Sequence, residues 1–364
     1  MLNKRLKQIL IITCAPRLYF LFDMTNQPKP ISKPRIGITM GDINGIGPEV
    51  VIKALSDNRL LTFITPVIYG SSRVLSFYKK QLNIEDFNYN QVRVKGQLLP
   101  KSVNIVNCWE EAIEINPGQA SKDTGRAALL SLKKCVEELK EGFLDGMVTA
   151  PIDKNTIYGT DFPFKGHTEY FTKEFNATET LMLMVGENLK VGLVTDHVSI
   201  AQVSNLVTKE RLELKVRLLE MSLRKDFGIL KPKIALLGLN PHAGDGGLLG
   251  MEEIQVIKPV MEELKAKGKL VFGPYPADGF FGSGEHTKFD GVLAMYHDQG
   301  LIPFKYIAFS NGVNFTGGLP IVRTSPDHGT AYSIAGKNIA DESSMRHAIY
   351  LAIEIINNRQ NSMS

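Results

Sequence analysis

His197, His242 and His297 each follow directly on an apolar run, beside a carboxylate or an amide. Neutral imidazole is a common ligand for divalent metals, and three imidazoles leave one coordination position open to a substrate oxygen. An adjacent acid or amide can orient such a ring. With a fourth histidine they define four polar segments: Lys165-Gly-His-Thr-Glu169, Thr195-Asp-His197, Asn240-Pro-His-Ala-Gly-Asp-Gly-Gly247 and Tyr296-His-Asp-Gln-Gly300. Their wide separation forms no local metal motif. On the residues alone, hydrogen-bonded loop histidines are the plainer reading, and a metal-dependent hydrolase could use the same three ligands.

Such segments need rigid elements to hold them, and the chain supplies alternating strands and helices, the pattern of an α/β sheet. Arg35–Thr39 reads as a buried strand entering a glycine-bearing turn and then a helix near Pro48, where a missing N–H costs nothing. Glu49 complements the positive end of that helix. Further strands are expected at 67–69, Gly146–Thr149, Leu181–Val185, 191–195, 233–239 and 291–295. Helices are expected from 72, over 124–139, 209–224 and 250–267, and over 343–357. Residues 311–329 read as a glycine-rich loop region. Ligands of α/β folds sit at the carboxyl ends of strands, so the four histidine segments, read as loops just beyond strands, are where a site is expected. Gly41, Gly45 and Gly47 do not space as a dinucleotide-binding G-x-G-x-x-G. Loop 39–48 is therefore either a tight turn or a surface facing substrate or cofactor.

The 364 residues are 43% hydrophobic and carry a formal charge of +4 without a long basic block, which gives no reason to propose nucleic acid as a partner. Cys14, Cys108 and Cys135 are odd in number and lack CxxC spacing, which points away from a disulfide framework and towards a reducing, cytoplasmic location. Residues 1–23 faintly resemble a secretory signal, but Arg17 interrupts them and Met24 opens the polar lead into the first strand. An upstream extension or misassigned start is the preferred reading. No later apolar stretch reaches the length of a membrane span.

Six co-linear motifs, Thr39-Met-Gly-Asp-Ile-Asn-Gly-Ile-Gly-Pro-Glu49, Gly166-His-Thr168, Asn240-Pro-His-Ala-Gly244, Ala294-Met-Tyr-His-Asp-Gln-Gly300, Gly312-Val-Asn314 and Arg323-Thr-Ser-Pro-Asp-His-Gly-Thr330, resemble the 4-hydroxythreonine-4-phosphate dehydrogenases of pyridoxal phosphate biosynthesis. The resemblance covers roughly 33–360. It implies a two-domain α/β fold like that of isocitrate and isopropylmalate dehydrogenases, with the active site in the interdomain cleft. The division expected is an extension at 1–32, a cofactor-bearing domain of 33–150 plus 300–362, and a domain of 151–299 with the metal ligands and a homodimer interface.

By the same resemblance His197, His242 and His297 are metal ligands, zinc first, with cobalt, magnesium or nickel as alternatives. His167, Thr168, Lys305, Asn314 and Arg323 line the substrate and its phosphate, with Asp298 and Lys305 as catalytic candidates. Segment 327–341 is similar to the adenosine-binding segment of the isocitrate and isopropylmalate enzymes, which implies NAD or NADP contacts at Asp327, His328, Gly329, Thr330 and Asn338. The implied reaction is oxidation of 4-phosphooxy-L-threonine, then decarboxylation to 3-amino-2-oxopropyl phosphate. A phosphorylated threonate- or erythronate-type sugar acid is the alternative substrate. The chain departs from the common family wording at Phe280-Phe-Gly-Ser-Gly-Glu-His-Thr287, where His286 reads as a solvated loop residue.

Overall fold

Apolar segments four to six residues long dominate the pattern, and in the computed structural model they pair into a twelve-stranded sheet. The structure describes residues 33–362 apart from Lys95, Thr160 and Lys165, so the expected extension 1–32, with Cys14, lies outside the described residues. In chain order the strands are β1 (Arg35–Thr39), β2 (Thr65–Gly70), β3 (Tyr89–Gln91), β4 (Val103–Asn107), β5 (Gly146–Thr149), β6 (Leu181–Val185), β7 (Lys190–Leu193), β8 (Ile234–Leu237), β9 (Val271–Tyr275), β10 (Gly291–Ala294), β11 (Val313–Gly317) and β12 (Arg323–Pro326). They lie side by side in the order β3-β4-β2-β1-β5-β12-β11-β6-β7-β10-β8-β9.

Two parallel blocks make up this sheet. From β3 to β12 every neighbour is parallel, and so is every neighbour from β7 to β9. Between the blocks, β12-β11, β11-β6 and β6-β7 are antiparallel, so chain direction changes at the centre. Parallel strands covered on both faces need continuous apolar runs, and β5 and β8 are buried along their whole length. Helices Lys122–Lys140, Lys209–Lys225 and Ser343–Asn361 cover the sheet. The first two begin at Ser121 and Thr208, whose hydroxyls accept from the amides of Thr124 and Arg211.

The expected loop region 311–329 instead contains two central strands, β11 and β12. Their glycines reflect close packing: a Cβ on Gly317 would lie 2.7 Å from Ser222 Oγ. Asn314 and Arg323 interrupt the apolar run because one strand face meets a cavity. The helix expected at 250–267 starts later, with a π turn over Glu253–Ile257 before the α-helix Lys258–Ala266. The segments after β7, β8 and β10 do follow strands, but Gly166-His-Thr-Glu169 opens helix His167–Glu174, which comes after the short helix Lys154–Ile157 and not after a strand.

Helix His297–Ala308 was not visible as a helical pattern, since it opens on polar residues and contains Pro303. It lies on the sheet at Gly300, where a Cβ would approach Val191 Cγ1 at 2.8 Å and both Ala294 Cβ and Leu193 Cδ2 at 3.0 Å. Those contacts leave no room for a branched side chain. Gly300→Val is expected to cost about 1–3 kcal/mol by overpacking, read by urea unfolding. Wild-type stability in that variant would show that the helix can be lifted freely.

Candidate active site

A cavity of about 1260 Å³ opens on the central strands, where chain direction changes. In α/β sheets such switch points form the crevices that ligands occupy. Its walls come from β11, β12, the segment after β5, helix His167–Glu174, the turn after β7 and helix His297–Ala308. Of the residues singled out in the sequence, it gathers His167, Thr168, His197, His297, Lys305, Asn314, Arg323, Asp327, His328 and Gly329. His242, Asp298, Thr330 and Asn338 are not on its wall.

Arg323 forms the floor and is 2% exposed. Its Nε and Nη2 donate to Thr149 Oγ1 on β5 at 3.1 and 2.6 Å, and Nη1 donates to Thr316 Oγ1 on β11 at 3.2 Å. The guanidinium also lies 5.5 Å over the Phe171 ring. No carboxylate is paired with it among the described residues. Burial works against its charge, yet a guanidinium keeps its proton in proteins. A buried cation held by neutral hydroxyls and facing a cavity is suited to an incoming anion.

Three polar atoms beside it are enclosed and unpartnered: His167 Nε2, Asn314 Oδ1 and His328 Nε2. Buried polar groups ordinarily have partners, so these are points at which a ligand can bond. Burial, then the charges of Arg323 and Lys154, holds the His167 proton affinity well below the usual histidine range. The ring is therefore neutral. Burial likewise lowers His197, with Lys154 and His297 adding to the effect and Asp196 opposing it.

The His197 and His297 rings lie 5.8 Å apart. Asp298, itself exposed, sits 2.7 Å from His297 Nδ1, and a carboxylate accepting there leaves Nε2 as an acceptor. The acids beside the other two histidines act differently. Asp196 accepts from the backbone N–H of His197, and Asn240 donates to Glu252 and Glu253. Lys305 pairs with Asp327 at 3.4 Å, which joins an expected substrate residue to an expected cofactor residue. Burial raises the Asp327 carboxyl while Lys305 opposes the shift.

His242 is exposed and lies in a turn whose residues 242–246 all have positive φ. That conformation is costly for His242, Ala243 and Asp245. Glu253, 1% exposed, holds it: Oε1 accepts from the amides of Leu239 and Asn240, both at 2.7 Å. A Cβ on Gly244 would come within 2.6 Å of Glu253 Oε2. Among the described residues no three His, Cys, Asp or Glu side chains gather closely enough to hold a metal. A single chain thus offers two neighbouring imidazoles, and the three-histidine set does not fit within it.

Loop 39–48 does not reach the cavity through its glycines. Ile46 N donates to Thr330 O, and a Cβ on Gly45 would stand 2.9 Å from the same oxygen. Asp42, fully buried, accepts from Thr124 Oγ1 and Tyr332 Oη. His286, expected to be solvated, is half-buried, with its ring 5.7 Å from that of Phe281. Lys154, Thr149, Thr316 and Glu253 were not singled out in the sequence, and Asp42 entered only within the Thr39–Glu49 motif. The groups they meet come from distant parts of the chain, Arg323 for Thr149 and Thr316, Thr124 and Tyr332 for Asp42, and only the acidic pair Glu252-Glu253 after the Asn240 motif offered a local signal.

The family profile described as Pyridoxal phosphate biosynthetic protein PdxA matches residues 62–352. The chain is 48% identical over 330 residues to a 4-hydroxythreonine-4-phosphate dehydrogenase of Bacteroides thetaiotaomicron, covering 90% of each chain. It is 38% identical over 327 residues to a putative D-threonate 4-phosphate dehydrogenase of Oceanobacillus iheyensis, covering 89% of this chain and 98% of that one. A crystal structure of a 4-hydroxythreonine-4-phosphate dehydrogenase from Klebsiella pneumoniae superposes with a TM-score of 0.78 at 33% identity, covering 89% and 98% of the two chains.

The buried neutral state of His167 has a measurable consequence. Its folded proton affinity is depressed, so below about pH 6.5 the unfolded chain binds a proton that the folded chain does not. Stability should fall as pH drops through that value. Between pH 7 and 5, His167→Gln is expected to lose measurably less stability than wild type in denaturant titrations. Parallel curves for the two proteins would rule out a buried neutral His167.

Proposed function

The chain belongs to the pyridoxal phosphate biosynthetic PdxA family, and on that footing we propose that it is a dehydrogenase that oxidises 4-phosphooxy-L-threonine (4-hydroxythreonine 4-phosphate). The product is the 3-oxo acid, which loses carbon dioxide to leave 3-amino-2-oxopropyl phosphate. The observation that carries this reading is the buried, acid-free guanidinium of Arg323 beside the unpartnered Asn314 Oδ1 and His167 Nε2. A phosphate dianion has the charge and the acceptor oxygens that such a floor suits, and Arg can engage two oxygens at once.

Bound NAD or NADP would accept the hydride from the carbinol carbon. Asp327, His328 and Gly329 lie on the cavity wall and Thr330 and Asn338 follow outside it, and all five are the proposed contacts with the adenosine part of the cofactor. The free edge of the His328 ring supports that assignment. Loss of hydride requires that the hydroxyl lose its proton, and the proposed catalytic groups are the Asp298 carboxylate, beside His297 Nδ1, and Lys305, which faces Asp327 and accepts a proton only in its neutral form. The proposed division into domains of 33–150 plus 300–362 and 151–299 draws support from the two parallel blocks of the sheet. A cytoplasmic location is in keeping with the unpaired Cys108 and Cys135.

A homodimer is part of the proposal. Ile302, Tyr306 and Phe309 form an exposed apolar row from helix His297–Ala308, and Leu248 is exposed beside the His242 turn. A patch of that kind is characteristic of an interface. His242, outside the cavity of its own chain, would then complete the zinc ligand set of the other copy. If so, inactive His242→Ala and His297→Ala chains should regain about a quarter of wild-type activity when mixed and re-dimerised, because half the dimers are mixed and each has one intact site. A fully active monomer by sedimentation, or no recovery, would sink the shared site.

For the phosphate subsite, Arg323→Ala should raise KM at least about tenfold, since a hydrogen bond to a charged group contributes about 1.5–3 kcal/mol. NADH formation with phosphorylated and dephosphorylated substrate is the assay. If the variant still discriminates as wild type does, Arg323 does not bind phosphate. Turnover of D-threonate 4-phosphate in parallel decides between the amino acid and the sugar acid.

A further inference from the structure

Lys154 opens the short helix Lys154–Ile157 just after β5, and its side chain runs into the cavity over Gly166. A Cβ on Gly166 would stand 3.6 Å from Lys154 Cε, which puts the ammonium arm against the residue that precedes His167. Its charge reaches both His167 and His197: after burial and Arg323 it is the next influence holding His167 neutral, and it adds to the burial that lowers His197. Lys154 lines the same cavity as Arg323, the phosphate floor, and as His197 and His297.

Other lysines on the same wall are already engaged. Lys215 donates to Glu179 and to the Thr180 carbonyl, Lys305 faces Asp327, and Lys173 lies over the Phe164 ring. Lys154 has no ion pair among the described residues, and its neighbour Asp153 accepts from the amides of Asn155 and Thr156 at the start of the helix. An ammonium and a guanidinium on one cavity wall, neither with an acid among the described residues, make two cationic subsites.

Resting on the phosphorylated hydroxy-acid reading above, we propose that Lys154 binds the carboxylate of the substrate while Arg323 binds its phosphate. The substrate has two anionic ends joined by a short carbon chain, and each end then meets its own cation. The pairing also fixes which step Lys154 serves. An ammonium stabilises the carboxylate of the bound acid, and that interaction is lost when the carboxylate leaves as carbon dioxide. Lys154 thus contributes to binding and orientation for oxidation, and gives no help to decarboxylation.

The test is equilibrium binding and steady-state kinetics of Lys154→Met and Lys154→Arg, with the phosphorylated hydroxy acid and with glycerol 3-phosphate, a phosphate ester that lacks a carboxylate. Lys154→Met is expected to weaken binding of the hydroxy acid and raise its KM by at least about tenfold, with kcat changed by less than about threefold. Lys154→Arg should restore most of the affinity, and glycerol 3-phosphate should bind both variants as it binds wild type. Unchanged affinity for the hydroxy acid in Lys154→Met would overturn the proposal. So would an equal loss for glycerol 3-phosphate, which would make Lys154 a phosphate ligand, or a collapse of kcat at constant KM, which would make it a proton carrier. Wild type that binds the hydroxy acid without forming NADH would refute the dehydrogenase reading and leave the binding comparison to decide on Lys154.

Discussion

A guanidinium buried at the centre of a sheet without an acid is the constraint around which the cavity is organised. Among the described residues Arg323 is held only by the hydroxyls of Thr149 and Thr316 and by the face of Phe171. Neutral partners satisfy N–H groups but leave the charge uncompensated, so the energetic cost of burial persists until an anion arrives. A carboxylate on β5 or β11 would relieve that cost and would also occupy the site. Threonines on the flanking strands hold the fork in place without competing for it. This is a stability cost retained in the free protein for the sake of binding.

The same positive field decides what the histidines can do. Beside Arg323 and Lys154, His167 is neutral, and His197 is biased the same way. Neutral imidazole has both a donor and an acceptor edge, whereas imidazolium has donors only. A cavity that concentrates fixed cations thus keeps its histidines free to accept a proton or to bind a metal. At His297 the Asp298 carboxylate meets Nδ1 and fixes the orientation of the ring. One group of side chains binds charge and the other handles protons, and the first sets the protonation state of the second.

Much of this was legible in the sequence, for identifiable reasons. β1, β5 and β6 follow their apolar runs to the residue, because a strand covered on both faces has no polar period to blur its ends. Most residues of the candidate site stood out because their motifs are local, as with Gly166-His-Thr168 and Tyr296-His-Asp298. β11 and β12 were hidden because Asn314 and Arg323 serve the cavity from strand positions that would otherwise be apolar. Helix His297–Ala308 was hidden by Pro303 and by the polar first turn that carries His297 and Asp298. In each case function replaced the residue that the periodicity required, so the pattern failed where the chemistry sits. Lys154 and Thr149 gave no signal, since neither belongs to a recognisable motif and their significance depends on neighbours from other strands.

Loop 39–48 shows how geometry separates two readings that composition leaves equal. A phosphate-binding glycine loop points its amides at the ligand. Here the Ile46 amide is engaged by Thr330 O, the Asn44 amide by Asp42 Oδ1, and the Asp42 amide by Pro151 O. The glycines permit contact of a different kind: Gly45 lets Thr330 approach, and Gly41, at φ 66, lets the chain turn against Pro151. Farther along, Glu49 accepts from the Ala340 amide, and Lys53 donates to the Ala340 carbonyl. Segment 327–341 is therefore seated on the first strand–helix unit at both of its ends. The acids Asp42 and Glu49 act as seat rather than as ligand, and the conformation that presents Asp327, His328 and Gly329 to the cavity depends on a loop that does not itself touch the site.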